Sequence, residues 1–207
     1  YRSRLNPAVF AANVSRLQAL EDIRTCFERR NVDVIYLKGA AYLDTLYPDP
    51  STRAMGDIDI LVRARDCLRA IYVLGQRGFV RVDANPDRPI SDLFAFEWPF
   101  CRDKTRVDLH VAFFEPKSAI DYAKVFERRC ILFAGGRTIP TLSVEDSLLF
   151  ACAHAAKHGF NTATPMLSDL RLIIEKWKPD WDVFGHRAQE WRIRTAVFVA
   201  LDLAERD

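Results

Sequence analysis

The sequence predicts an α+β fold, in which a mixed α/β part is followed by an all-helical part. Three observations predict it. Up to Pro140, short apolar runs of strand character alternate with stretches of helical spacing. Beyond Pro140, helical spacing alone continues to the end. No internal repeat or low-complexity tract interrupts either part. The division places an α/β domain with its N-terminal helix at 1–140 and a helical domain at 141–207.

Taken in order, Pro7 to Arg30 carries Val9, Phe10, Val14, Leu17, Leu20, Ile23 and Phe27 at helical spacing, and is expected to be an amphipathic helix. Val32 to Leu37 is an apolar run of strand length. Gly39 to Leu46 is a short helix ended by the turn-forming segment PDPS. Asp57 to Val62 is the next strand. Arg65 to Arg77 is a helix closed by Gly78, and Phe79 to Val82 a strand before a loop at NPDRP. Leu93 to Cys101 and Arg106 to Phe113 are longer strands joined by the charged turn RDKT. Ala119 to Arg128 is expected to be helical, and Cys130 to Ile139 a hairpin around Gly135-Gly136. After Pro140, Ser143 stands as an N-cap with Glu145 and Asp146 in the first turn of a helix through HAAKH. Helical patterns then cover Pro165 to Trp177, Trp181 to Trp191, and Arg192 onward.

Composition narrows the function classes. The 207 residues carry a net charge of +2, which argues against a general polyanion binder. No long basic, aromatic-laced stripe suggests nucleic acid. The apolar runs are short and broken by charge, so no transmembrane helix is expected. The N-terminus has no signal-peptide core. The missing initiator Met and the abrupt end at LAERD lead us to expect a segment of a longer chain. Cys26, Cys67, Cys101, Cys130 and Cys152 are scattered, odd in number and without a CxxC pair. That pattern suits reduced thiols and a cytoplasmic location rather than a disulfide framework or a zinc site.

The chemistry concentrates in GDIDILV, residues 56–62. Strand side chains alternate faces, so Asp57 and Asp59 share one, with β-carbons roughly 7 Å apart. Two carboxylates so placed can share a proton, face solvent or straddle cations. Mg²⁺ takes oxygen ligands and is held by one or two carboxylates together with substrate phosphates. Upstream, Lys38-Gly39-Ala40 joins a buried strand to a helix, where a small residue lets a phosphate approach free backbone N–H groups. Asp108, in TRVDLHVAFF, is a third acid inside an apolar strand, where an unpaired charge is costly. If its strand lies beside that of Asp57, three carboxylates converge.

These residues resemble the nucleotidyltransferase superfamily of the DNA polymerase beta type, and within it the group described only as an uncharacterised nucleotidyltransferase family. The resemblance rests on LKGAAYLDTLYPDPSTRAMGDIDILV, the VDLHV strand, and the later HAAKH and LSDLRLII helices, between Tyr36 and Ile174. It implies a nucleotidyltransferase-type mixed twisted sheet with flanking helices, followed by a helical domain, with the active cleft between them. It implies a metal-dependent enzyme that moves a nucleoside monophosphate from an NTP donor to a hydroxyl or phosphate acceptor and releases pyrophosphate. The acceptor could be a small molecule, a peptide or protein, or RNA. Asp57 and Asp59 match the paired metal-binding acids for two Mg²⁺ ions, or Mn²⁺, and Asp108 matches the third acid, which assists deprotonation of the acceptor. Lys38, Gly39, Ala40, Arg53 and Gly56 are expected at the nucleotide. Ala40 stands where the superfamily's usual serine would be, which removes a hydroxyl contact to phosphate and keeps open a catalytically degenerate, nucleotide-binding module. A toxin-like or peptide-modifying transferase is a further alternative.

Other residues have plainer readings beside this one. Lys38 could point to water, and Arg53 could bridge to Asp49 or Asp57. His110 shares a face with Asp108 and could border the site, or be a partly buried strand histidine. His154 and His158 are four apart on one helical face but lack the glutamate of HExxH. They are expected to line the cleft, with Asp169 as hydrogen-bond partner, in preference to a zinc-dependent hydrolase. The aromatic run FAFEWPF and Trp177, Trp181 and Trp191 read as packing residues.

Overall fold

The computed structural model describes residues 6–47, 49–82, 96–114, 119–160 and 165–206. The chain forms two compact units, Tyr1–Lys117 and Ser118–Asp207. The change of sequence character near Pro140 lies inside the second unit.

In the first unit, helix α1 (Pro7–Arg29) begins at Asn6, whose side chain accepts from the N–H groups of Ala8 and Val9. Pro7 fills the first helical position, where its missing N–H costs nothing. The face carrying Ala19, Leu20, Ile23 and Phe27 is buried. The next elements are strand β1 (Val34–Tyr36), the one-turn helix α2 (Lys38–Tyr42), and strand β2 (Ile58–Val62), reached through a 3₁₀ turn at Pro50–Thr52. Helix α3 (Cys67–Gln76) follows, then strands β3 (Val80–Arg81), β4 (Glu97–Arg102) and β5 (Thr105–His110).

Within this unit the strands lie in the order β3-β4-β5-β2-β1. The β1–β2, β3–β4 and β4–β5 pairs are antiparallel and β2–β5 is parallel, so the sheet is mixed as expected. Every residue of β1 and β2 is buried.

Several elements are shorter than their sequence patterns, each for a local reason. α2 stops at Tyr42, and the Thr45 hydroxyl bonds the Ala41 carbonyl at 2.7 Å, where a side chain competes with helical continuation. β5 stops at His110, because Val111 and Ala112 both turn their N–H groups to the Phe96 carbonyl. β2 begins at Ile58, so Asp57 enters just ahead of the ladder. The NPDRP loop and residues 93–95 of the expected strand lie outside the described residues.

In the second unit, helix α4 (Tyr122–Glu127) is capped by Asp121, and strands β6 (Cys130–Ala134) and β7 (Arg137–Thr141) form the expected hairpin. Gly135 and Gly136 both have positive φ, 58° and 73°, as a two-residue primed turn requires. Helix α5 (Val144–Lys157) starts at Ser143, whose hydroxyl accepts from the Asp146 N–H. It packs against helices α6 (Met166–Leu172), α7 (Trp181–Glu190) and α8 (Arg194–Arg206). α6 runs into a π turn over Ile173–Trp177, and Lys178, at φ 52°, ends it. Asp146, fully buried, accepts from Arg128 Nε at 2.6 Å and Arg187 Nη1 at 3.0 Å, which ties α5 to the residue after α4 and to α7. No helix among the described residues is long and apolar enough to cross a membrane.

Candidate active site

The parallel β2–β5 register sets Asp59 opposite Asp108. Alternation puts both side chains on one face of the sheet, where the chain entering β2 adds Asp57. Ligand oxygens of the three carboxylates lie within 4.8 Å of one another. Asp59 and Asp108 are buried and Asp57 is half-buried. Among the described residues these acids form the one group of three or more possible metal ligands.

Two cations answer the three charges. Lys38 Nζ lies 2.6 Å from Asp59 Oδ1, and Arg106 Nε donates to Asp108 Oδ1 at 2.8 Å. Asp59 Oδ1 also takes a hydrogen bond from His110 Nε2 at 3.1 Å. A carboxylate only accepts, so Nε2 carries the proton in that bond. Burial works against the Asp59 charge, but the Lys38 ammonium and the His110 bond hold its carboxyl well below the ordinary range. Burial works against the Lys38 charge too, and the Asp59 and Asp57 carboxylates raise its pKa in spite of it. Asp57 has less support: burial, then repulsion from Asp59, pushes it up to about 6. Burial, only partly offset by Arg106, raises Asp108 as well. The cluster is therefore short of positive charge. Hard oxygen donors at this spacing fit Mg²⁺ or Mn²⁺.

The backbone around Lys38 and Gly39 is set by close packing. Lys38 has φ 45°, a left-handed conformation unusual for a non-glycine residue. This turn follows Leu37, whose N–H bonds the Asp59 carbonyl at 3.0 Å. A β-carbon on Gly39 would lie 2.6 Å from Arg53 Nη1 and 2.7 Å from Met55 Cγ, so any larger residue would have to displace them. Arg53 is buried, with its guanidinium 5.8 Å from the centre of the Tyr47 ring. Ala40 is buried, and its N–H bonds the Leu37 carbonyl at 3.2 Å. Gly56 is exposed with open space where a β-carbon would be, so nothing steric demands a glycine there.

Three residues of this region were not singled out by the sequence patterns. Asn13, buried on α1, donates from Nδ2 to the carbonyls of Pro50 at 2.6 Å and Arg53 at 2.7 Å, and accepts from the Met55 N–H at 3.0 Å. It fixes the segment that carries Arg53 into β2. The signal was a lone amide among the apolar positions of a helix. Arg106, two residues before Asp108, was legible from alternation. Glu97, whose Oε2 is 3.9 Å from His110 Nδ1, faces His110 across the β4–β5 ladder.

His154, His158 and Asp169 belong to the second unit. The histidine rings are 4.5 Å apart on α5, and His154 Nδ1 lies 3.2 Å from Met166 Sδ. Asp169 is buried on α6. Among the described residues these three do not form a cluster of metal-ligand geometry.

The chain matches the sequence model of a family described as uncharacterised nucleotidyltransferase over residues 3–206. No curated protein matches it. Among solved structures, it is similar to ANT(2'')-Ia in complex with adenylyl-2''-tobramycin, at 14% identity and TM-score 0.63, covering 87% of this chain and 99% of that one. The solution structure of the antibiotic-resistance factor ANT(2'')-Ia gives 12% identity, TM-score 0.60, and coverage of 94% and 96%. The lincomycin-bound lincosamide antibiotic adenylyltransferase LnuA gives 20% identity, TM-score 0.53, and coverage of 76% and 96%. At such identities the likeness shows a shared fold.

Proposed function

The chain belongs to the uncharacterised nucleotidyltransferase family, and from that premise we propose that it moves a nucleoside monophosphate from an NTP to an acceptor hydroxyl. The acceptor oxygen forms a bond to the α-phosphorus, the bond from that phosphorus to the bridging oxygen breaks, and pyrophosphate leaves. The acceptor proton passes to Asp108 or to water. The observation that carries this reading is the convergence of Asp57, Asp59 and Asp108.

Asp57, Asp59 and Asp108 would hold two divalent cations, which when bound polarise the phosphoryl oxygens and neutralise charge on the attacking and leaving oxygens. The residues themselves do the positioning. Lys38 and His110 hold Asp59, and Arg106 holds Asp108. Arg53, seated against Gly39 and anchored through Asn13, offers a guanidinium for phosphate. Asp108, whose proton affinity burial raises and whose partner Arg106 is half exposed, is the group we assign to take the acceptor proton.

The acceptor to try first is a small hydroxyl-bearing molecule, since two of the similar structures hold an adenylylated tobramycin and a lincomycin. The test is incubation with each α-labelled NTP and Mg²⁺ or Mn²⁺, with small-molecule, peptide and RNA fractions supplied in turn. Labelled product with equimolar pyrophosphate supports transfer and names the acceptor class. Metal-dependent NTP binding without pyrophosphate release supports the second reading, a nucleotide-binding module. Ala40 in the position of the usual serine favours that reading.

A further inference from the structure

Asp59 is held by one oxygen from two sides. Lys38, from the β1–α2 junction, and His110, from the end of β5, both reach Oδ1, at 2.6 and 3.1 Å. The two contacts come from different elements and leave the side chain little rotational freedom. His110 is itself buried, and its Nδ1 has Glu97 Oε2 3.9 Å away, outside hydrogen-bond reach. Its hydrogen bond therefore goes to Asp59. Arg106 treats Asp108 similarly, through Oδ1 alone, but its side chain is half exposed and the contact is more open to water.

We propose that His110 is a positioning residue for the cation site. Its Nε2–H, with the Lys38 ammonium, holds Asp59 Oδ1 and so fixes the orientation in which that carboxylate would meet a divalent cation. Partners of this kind fix a ligand's orientation, and their loss costs about 10–100-fold in metal affinity or activity. The inference rests on the proposed metal-dependent transfer, but it is tested by binding rather than by turnover.

The experiment is Mn²⁺ titration of the chain, followed by electron paramagnetic resonance and calorimetry without nucleotide, on wild type, His110→Phe and His110→Gln. Phe keeps a planar ring, somewhat larger than imidazole, and loses the donor. Gln keeps an amide nitrogen near the Nε2 position and loses the ring. Positioning predicts Mn²⁺ affinity about 10–100-fold weaker in His110→Phe and largely restored in His110→Gln. A purely space-filling role predicts the reverse order, and that result overturns the proposal. Equal affinity in all three also overturns it. Should His110→Phe not fold, His110→Asn repeats the contrast, since its shorter amide does not reach Asp59 while its polarity matches Gln. A wild type that binds no Mn²⁺ overturns the metal-site reading itself, and the positioning role falls with it.

Discussion

Asp59 and Asp108 face each other across the one parallel pairing described in the first unit, with their Cα atoms in register. In an apolar sheet two like charges so placed repel, and the repulsion is met unequally. Asp59 has a buried ammonium and an imidazole, whereas Asp108 has a half-exposed guanidinium. Exchanging the two acids for amides therefore has different consequences. Asp59→Asn and Asp108→Asn should each reduce transfer by more than about 100-fold, since even outer-shell partners of a metal cost up to that much. Asp59→Asn should also lower the midpoint of urea unfolding, because Lys38 loses its buried partner, while Asp108→Asn should leave it near wild type. Paired turnover and unfolding measurements check both halves.

Lys38 is the ammonium paired with the buried Asp59 at 2.6 Å. Lys38→Met leaves a buried carboxylate with only His110 for support, and should destabilise the protein toward the lower end of about 3–5 kcal/mol. Adding Mg²⁺ should raise the melting temperature of Lys38→Met by more than it raises that of wild type. Scanning calorimetry of both, with Mg²⁺ and with chelator, reads the difference.

Gly39→Ala places a methyl group where Arg53 Nη1 and Met55 Cγ already lie. Overpacking of this kind costs roughly 1–3 kcal/mol, and here it also displaces the guanidinium proposed for phosphate. The expected outcome is a lower melting temperature and a raised NTP KM. An unchanged KM would separate Arg53 from the nucleotide.

Asn13→Ala removes a side chain that serves two carbonyls and one N–H in the segment before β2. At about 1–3 kcal/mol for each buried group left unpaired, the loss should reach roughly 2–4 kcal/mol once water and relaxation restore part of it. Chemical denaturation measures it. Asn13→Asp, which sets a carboxylate against two carbonyl oxygens, should be worse than Ala.

Burial pushes the Cys152 thiol up to about 12 and the Cys67 thiol up to about 11. The thiolate is the reactive form, so at pH 8.5 both should resist iodoacetamide in the folded protein and react on unfolding. Raising the pH should expose Cys67 before Cys152. Mass spectrometry of alkylated peptides over a pH series gives the order.

Much of the site was legible in the sequence because acids inside apolar strands are expensive and therefore conspicuous. Asp57, Asp59 and Asp108 stand out as acids inside apolar runs, and the structure sets their strands side by side and brings the carboxylates together. Gly39 was expected to let a phosphate approach the backbone; the groups close to it in the structure are instead Arg53 and Met55, from residues whose path no periodicity describes. Asn13 was hidden because its partners are backbone groups far along the chain. The left-handed φ of Lys38 was hidden because lysine carries no local signal for it. The ends of α2 and β5 were overrun because side-chain and bulge-like hydrogen bonds, not hydrophobic pattern, stop them.

The parallel pairing also orders events in time. β4 and β5 close through a tight turn at Asp103-Lys104 and can meet early, as local hairpins do. β2 reaches β5 only across the long connection that parallel strands need, so its pairing carries the larger loop-closure cost. On that ground the Asp59–Asp108 pairing is expected after the β4–β5 hairpin, with the repulsion between the two acids acting on the closing step. A divalent cation bound between them should then quicken refolding, which stopped-flow refolding with Mg²⁺ and with chelator measures.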